Sequence, residues 1–347
     1  IASIINDGSL KACILTGSES KLNDQNIDKK SIKQKISSGE VNIIVGTQAV
    51  IQKSVSFNKL ALVVIDEQHR FGIYQRALLA KQMDKELVPH LLSMSATPIP
   101  RTLALTIYGD LDISLIKEKP KNRQKIITRI VTPEERIANY DFVRQEVARG
   151  RQVFVVCPRI EVSDPKKEIK TGTKQSKINV LWADVKAVEE EYKKLSESIF
   201  PDLRVAMLHG KLKPKEKNEV MDKFKNGKYD IVVSTSVIEV GVDVPNATIM
   251  MIESAERFGL AQLHQFRGRV GRSENQSHCL LLSSTADKTT NQSLKALVEC
   301  DDGFELAEKD MKIRGPGEFF GVKQSGIPDL GMASLANMDL IKKARAE

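Results

Sequence analysis

Short apolar runs alternate with polar, helix-favouring stretches along the first part of the chain. Four runs rich in aliphatic and β-branched residues predict strands at residues 11–16, 41–45, 60–65 and 91–95. The polar stretch 29–38, which ends at Gly39, predicts a helix. Strands that alternate with helices favour a parallel sheet covered on both faces, in which ligands bind at the carboxyl ends of the strands.

The alternation stops at a charged seam and then starts again. Residues 117–125 carry Pro120 and no apolar face, which predicts a domain boundary near residue 120. Beyond it, the pattern predicts helices at residues 134–150, 182–198 and 215–226, and strands at 152–157, 204–208, 230–234, 247–252 and 279–282. A lysine-rich stretch at 162–177 predicts a surface loop, and the chain is polar and helical from about residue 287.

The chain is therefore predicted to be an α/β protein with two tandem parallel-sheet lobes. We assign residues 1–120 to the first lobe, which we expect to be truncated, 121–286 to the second, and 287–347 to a helical tail. The tail contains a turn of arginine, glycine and proline at residues 314–317, and it is too short to form a core of its own.

Composition narrows the class of protein. Of the 347 residues, 41% are hydrophobic and 28% are charged, and no apolar run approaches the ~20 residues that a membrane-spanning helix needs. We therefore expect no membrane partner. The net charge of +8 is compatible with a polyanionic partner. Four scattered cysteines suit a reducing, cytoplasmic setting and argue against zinc. Because the first residue is Ile1, we expect a piece of a longer protein.

Adjacent carboxylates follow the third predicted strand. Asp66, Glu67, Gln68 and His69 come directly after the run LALVVI. At the carboxyl edge of a sheet, one carboxylate can hold Mg2+ through water while the other orients and deprotonates an attacking water. The alternative interpretation is a solvated turn after a strand, and the motif alone favours that alternative.

Small hydroxyl residues follow two other strands. Ser95, Ala96 and Thr97 could bond to the acidic cluster, or could simply cap a helix before Pro98. Residues 234–245, STSVIEVGVDVP, include Gly241 and Asp243. Asp243 could bond a ribose hydroxyl or orient an arginine, or it could cap a core strand.

An arginine-rich segment lies at residues 262–272, with the sequence QLHQFRGRVGR. Arg267, Arg269 and Arg272 fall within six residues, separated by glycines that allow close backbone approach. Guanidinium groups neutralise phosphoryl charge through paired hydrogen bonds. The alternative is a basic nucleic-acid or solvated face, but the spacing is more specific than a plain run of arginines.

Taken in order, these motifs resemble those of the superfamily 2 helicases, whose lobes are RecA-like. The resemblance makes DEQH the Mg2+ and water motif, SAT the coupling motif, and the segments at 234–245 and 262–272 the fifth and sixth motifs. Gly46 and Thr47 resemble a strand-contacting motif. The resemblance to superfamily 2 helicases also implies that Gln265 belongs to the nucleotide site and that Arg269 and Arg272 are arginine fingers. Phe266 stands where many relatives have arginine.

A narrower resemblance points to the RecG branch-migrating DNA helicases. It rests on DEQHRFG, SATPIPRTLA, HGKLKPKEK, ERFGLAQLHQFRGRVGR and above all IRGPGEFFGVKQSG. The family implies a helical hairpin and loop that couple ATP hydrolysis to movement on duplex DNA. Arg314 and Gln324 would then contact DNA, although a surface salt bridge is an equal alternative for Arg314.

The resemblance implies an ATP-driven double-stranded DNA translocase that remodels stalled forks and Holliday junctions, with ATP and Mg2+ as cofactors and a monomeric state expected. No phosphate-binding Gly-x-x-x-x-Gly-Lys-Ser/Thr segment occurs in the sequence. We therefore expect the isolated chain to lack ATP hydrolysis. Two alternatives stay open: a transcription-repair coupling translocase, and a DNA-binding module without catalysis.

Overall fold

The computed structural model describes the chain as two compact units, Ile1–Ala96 and Thr97–Glu347. The residues described are 10–17, 19–52, 54–67, 89–95, 112, 114–116, 118, 124–158, 185–235, 244–284 and 292–314. The predicted boundaries near residues 120 and 287 fall outside these ranges, so both stay predictions. The predicted loop at 162–177 also lies outside them.

The first unit contains a mixed sheet built around a parallel strand pair. Its strands are β1 (Ala12–Leu15), β2 (Ser20–Leu22), β3 (Gln25–Asn26) and β4 (Ile43–Gly46), in the order β3-β2-β1-β4. Strands β1 and β4 pair in parallel, as the sequence predicts. Strands β2 and β3 form an antiparallel hairpin beside β1 that the sequence did not reveal. Its turn residues Asn23 and Asp24 both have positive φ, as two-residue hairpin turns require.

Helix α1 (Lys29–Ser37) covers this sheet. It begins at Asp28, whose carboxylate accepts hydrogen bonds from the backbone nitrogens of Lys30 and Ser31. Its apolar residues Ile32 and Ile36 are buried against Cys13 and Leu15 of β1. A separate parallel pair, β5 (Leu62–Ile65) and β6 (His90–Ser93), completes the described strands of this unit.

The second unit is built on six parallel strands. They are β7 (Ile127–Val131), β8 (Gln152–Val156), β9 (Val205–Leu208), β10 (Ile231–Ser234), β11 (Ala247–Ile252) and β12 (His278–Leu282), in the order β7-β12-β11-β8-β10-β9. Every residue of β8, β10 and β11 is buried, because the sheet is covered on both faces. Alternate residues supply separate cores: Phe154 and Met250 to one, Val155 and Met251 to the other.

The helices of this unit lie where the sequence predicts them, except the helix at Leu260–Arg267, which the sequence analysis did not predict. They are α2 (Arg136–Ala148), preceded by a short 3-10 turn at Pro133–Glu135, α3 (Pro214–Lys225), α4 (Leu260–Arg267), α5 (Gln292–Glu299) and α6 (Gly303–Arg314). A further helical segment covers residues 185–199, and its last six residues form a π-helix.

Helices α5 and α6 of the tail share a core with α4. Leu297 and Leu306 belong to the same buried cluster as Leu263 and Phe266. Asp302 caps α6 by accepting bonds from the nitrogens of Phe304 and Glu305. The predicted helical tail is confirmed for residues 292–314, and it packs onto the helix that begins the arginine-rich segment.

All four cysteines are buried thiols. Across the described ranges, no helix combines the length and the apolarity that crossing a membrane requires.

Candidate functional site

The acidic pair lies at the carboxyl end of β5. Asp66 is exposed, and its Oδ1 accepts a hydrogen bond from the backbone nitrogen of Glu67 at 2.9 Å. Glu67 has a φ of +52°, in the left-handed region that residues other than glycine rarely occupy. Such conformations persist where surrounding structure holds them, and they cluster at functional sites. The turn therefore places the exposed carboxylate of Asp66 next to Glu67, a residue whose backbone is strained.

Ser95 lies at the same edge of the sheet as the acidic pair. Strands β5 and β6 are parallel with Ile65 opposite Ser93, and the nitrogen of Met94 donates to Ile65 O at 2.7 Å. Glu67 and Ser95 thus each lie two residues beyond the same paired position. A hydrogen bond between this hydroxyl and the acidic cluster stays a prediction. Gln68, His69, Ala96 and Thr97 lie outside the described residues.

Gly46 and Thr47 occupy the carboxyl end of β4, next to Leu15 at the end of β1. A Cβ atom at position 46 would overlap the carbonyl oxygen of Leu15 and the side chain of Val50, so packing requires glycine there. Thr47 is exposed and precedes a 3-10 turn at Gln48–Ile51. Thr47 therefore lies at the surface at this edge of the sheet.

The arginine-rich segment begins on α4 and continues into a loop. Gln265 and Arg269 are half-buried, whereas Arg272 is exposed. Between the two arginines lies Gly271, whose φ of +75° reverses the chain. The two predicted finger arginines therefore leave the core from a tight glycine-containing turn, as a loop that presents guanidinium groups would require.

Arg267 differs from Arg269 and Arg272, the neighbouring arginines of the same segment. It is 4% exposed, and its Nη1 donates to the carbonyl oxygens of Leu297 at 2.7 Å and Cys300 at 2.9 Å. Its Nη2 lies 3.1 Å from His264 Nδ1. Burial lowers the pKa of its guanidinium. Arg267 thus binds the carboxyl end of α5 and anchors the tail to α4.

Phe266 is explained by packing. It is fully buried and makes an edge-to-face contact with Phe258, with ring centroids 5.3 Å apart. The position faces the core on α4, so the aromatic residue serves the attachment of this helix to the sheet.

A buried ion pair at the carboxyl edge of the second sheet escaped the sequence analysis. Glu253, directly after β11, is 7% exposed and receives two contacts from Arg136 Nη1, at 3.1 Å to Oε1 and 3.0 Å to Oε2. Burial and the nearby carboxylate of Glu191 raise the pKa of Glu253. The pair joins α2 to the segment that leads into α4. Only spatial proximity reveals it, because the partners are 117 residues apart.

His209 was also missed. It follows β9 and is 8% exposed, and among the described residues its Nδ1 has no hydrogen-bond partner. Burial lowers its pKa, and the charges of Lys211 and Lys217 act in the same direction. Lys217 Nζ donates to Gly210 O at 3.0 Å. These residues belong to the segment HGKLKPKEK, which resembles the RecG family. That resemblance is the sequence signal that could have identified His209 and the lysines around it.

Three protein-family profiles match successive parts of the chain. They are DEAD/DEAH box helicase at residues 5–106, helicase conserved C-terminal domain at 138–274, and ATP-dependent DNA helicase RecG, domain 3, C-terminal, at 300–347. The last match covers the tail, where the sequence carries its most specific resemblance.

Curated relatives match the chain almost from end to end. A Synechocystis protein called ATP-dependent DNA helicase RecG is 49% identical over 322 residues, which cover 93% of this chain and 36% of the relative. The protein of the same name from Thermotoga maritima is 46% identical, with 92% and 39% covered. The chain belongs to the RecG family.

A solved structure of RecG bound to a three-way DNA junction has the same fold. It superposes with a TM-score of 0.67 at 39% identity, covering 96% of this chain and 40% of the RecG chain. The two RecA-like α/β lobes predicted from the sequence are thereby confirmed. The chain spans less than half the length of these RecG relatives.

Several residues that the sequence analysis singles out lie outside the described part of the chain. They are Gly241, Asp243 and Gln324. Arg314 ends helix α6, and its side chain is outside the described part as well. Their roles stay predictions.

Proposed function

We propose that this chain is the motor part of an ATP-dependent double-stranded DNA translocase that remodels stalled replication forks and Holliday junctions. The observation that carries the proposal is the end-to-end RecG match of a chain whose acidic pair and finger arginines lie in turns that directly follow core elements. A similar RecG structure is bound to a three-way DNA junction, which supports branched DNA as the partner.

The acidic pair would promote hydrolysis. An exposed carboxylate such as Asp66 suits Mg2+, which prefers oxygen ligands and keeps several of its waters. When bound, the ion would supply charge neutralisation to ATP. Glu67 would orient the attacking water and accept its proton. Ser95, with Ala96 and Thr97, would couple the state of this edge to the rest of the motor.

The turn at residues 268–272 that carries Arg269 and Arg272, hereafter the arginine turn, would supply positive charge to the same reaction. We propose that Arg269 and Arg272 stabilise the negative charge that develops on the phosphates, which is worth several kcal/mol in related phosphoryl transfers. Gln265, Gly241 and Asp243 would help to hold the nucleotide. Because Arg269 and Arg272 follow α4 in a turn that contains Gly271, a displacement of α4 would move these two arginines together.

The tail would convert this displacement into movement on DNA. Arg267 joins α4 to α5 through two carbonyl oxygens, so a shift of α4 is transmitted to the hairpin. Arg314 and Gln324 would contact duplex DNA from the tail, and Gly46 and Thr47 from the first unit. We propose that the protein acts as a monomer, and that the chain as given hydrolyses ATP negligibly.

A junction assay tests the proposal. The full-length protein that contains this chain is mixed with a labelled three-way junction, a Holliday junction or a linear duplex of the same length, with and without ATP. We expect ATP-dependent conversion of both junctions into their product duplexes, with the linear duplex left intact. Conversion that needs no ATP, or no conversion of either junction, would contradict the proposal.

A further inference from the structure

The segment that leads into β7 is bound to the loop that carries Arg272. We infer that this segment, Gln124–Ile126, hereafter the lead-in segment, positions the finger arginine for catalysis. The inference deepens the proposed function and rests on it. It assigns a role to three residues that belong to none of the motifs.

Reciprocal side-chain hydrogen bonds join the lead-in segment to the loop that follows Arg272, at residues 273–277. Gln124 Nε2 donates to the carbonyl oxygen of Glu274 at 2.9 Å, and Gln276 Nε2 donates to the carbonyl oxygen of Lys125 at 2.7 Å. Each segment thus supplies one side chain and one carbonyl group. Two bonds of opposite direction fix both the separation and the register of the two backbones.

Ile126 contacts the loop directly before Arg272. A Cβ atom at Gly271 would lie 2.8 Å from Ile126 Cγ1 and 3.0 Å from Cδ1, so the isoleucine packs against the bare backbone of this glycine. Gly271 has a φ of +75°, and this packing covers the turn from one side. The peptide that determines the direction of Arg272 is therefore held by an aliphatic side chain of the lead-in segment.

The lead-in segment also reaches the tail. Lys125 Nζ lies 2.7 Å from Asp301 Oδ2, in the connection between α5 and α6. This pair is largely exposed, so its effect is on geometry more than on stability. From the other side, Arg151 Nη2 donates to Asn275 Oδ1 at 2.7 Å. The loop that follows Arg272 is thus held from the lead-in segment and from the start of β8.

This arrangement matters for chemistry because a catalytic guanidinium must be held in place before the reaction. Displacements of about 1 Å can reduce rates by about a hundredfold. Glutamine and lysine side chains at positions 124 and 125 are exposed, so their removal leaves the hydrophobic core intact. The lead-in segment can therefore be tested without unfolding the protein.

Two measurements on matched variants test the inference. The test variant is Gln124→Ala with Gln276→Ala, and the control is Gln145→Ala, which removes an exposed glutamine from α2. In this chain, hydrogen exchange of residues 268–277 should become about tenfold faster in the test variant and should not change in the control. In the full-length protein, kcat for DNA-stimulated ATP hydrolysis should fall about tenfold, with KM for ATP within about twofold of wild type.

Each other outcome overturns the inference. Unchanged exchange would show that the amide bonds do not hold the loop. Faster exchange with unchanged kcat, or a change confined to KM, would show that the loop position does not matter for catalysis. A wild-type full-length protein without ATP hydrolysis would instead refute the proposed function itself, and this inference with it. Ile126→Ala, which removes only the packing on Gly271, should lower kcat in the same direction.

Discussion

The arginines of one short segment divide between structure and chemistry. Arg267, Arg269 and Arg272 are spaced so closely that spacing alone gives them the same role. Burial separates them: Arg267 is 4% exposed and bound to main-chain carbonyl groups, whereas Arg272 is exposed. Burial of a charged group is favourable only where its hydrogen bonds are satisfied, as those of Arg267 are. Arg267 therefore has a structural role.

Stability measurements should separate these arginines. Arg267→Gln removes charged hydrogen bonds to two carbonyl groups, and we expect it to lower the free energy of unfolding of the second unit by about 3 kcal/mol. Arg272→Gln changes an exposed side chain, and we expect a change within about 0.5 kcal/mol. Urea titrations of both variants provide the comparison. Equal losses of stability would contradict the division of roles.

Histidine burial predicts a pH dependence of stability. The pKa values of His209 and His278 are lowered in the folded chain, in both cases mainly by burial. Between the lowered pKa of the folded chain and the ordinary histidine pKa, the unfolded chain binds more protons than the folded chain. The free energy of unfolding therefore rises with pH through this range. We expect the free energy of unfolding to increase between about pH 5.5 and 7.5.

The double variant His209→Asn with His278→Asn provides the control for this pH dependence. Its stability should vary less with pH over the same interval, because the variant lacks both titrating groups. A wild-type slope that the double variant reproduces would assign the effect to other residues.

At the scale of elements, the pattern of hydrophobic residues predicted strands with long aliphatic runs and missed those without them. The run at residues 247–252 coincides with β11, whose six residues are all buried. Strands β2 and β3 have three and two residues and contain a single aliphatic side chain, Leu22, so neither periodicity nor aliphatic content predicts them. Strand β7 was not predicted either: it lies at the sheet edge, its exposed residues Ile127 and Arg129 flank buried Thr128, and it follows the charged seam that predicted a domain boundary.

Glycine substitutions test the close approach of β1 and β4. Gly46→Ala would place a methyl group against the carbonyl oxygen of Leu15, and overpacking of this kind costs about 1–3 kcal/mol. Gly17→Ala is the matched control, because a Cβ atom there has nothing within 4 Å. We expect hydrogen exchange at residues 12–15 and 43–46 to become faster in Gly46→Ala. In Gly17→Ala the exchange rates should stay at their wild-type values. Similar exchange in both would refute the packing argument.

At the scale of the whole molecule, the candidate functional residues are predicted by motifs, whereas the contacts that support them are revealed only by the fold. Asp66, Glu67, Arg269 and Arg272 were identified from short motifs in a characteristic order. The supporting contacts were not, because they join residues far apart in sequence: Gln124 with Glu274, and Arg136 with Glu253. Such pairs carry no local signal in a single sequence.

The tail illustrates the same division. Its helical character followed from its polar pattern, and its family from the segment IRGPGEFFGVKQSG. Its attachment to α4 through Arg267 and the shared core of Leu297, Leu306 and Phe266 became visible only in three dimensions. The motor account depends on this attachment, since it connects the arginine turn to the segment proposed to move on DNA.

The central claim is that the acidic pair and the finger arginines Arg269 and Arg272 serve one ATP-hydrolysing reaction. It is tested most directly by phosphate release from the full-length protein with three-way junction DNA, for wild type, Glu67→Gln and Arg272→Gln. We expect each substitution to reduce kcat by at least about a hundredfold, because each removes a group that acts on the transition state. Turnover at the wild-type rate in Glu67→Gln would contradict the claim and favour a DNA-binding module without catalysis.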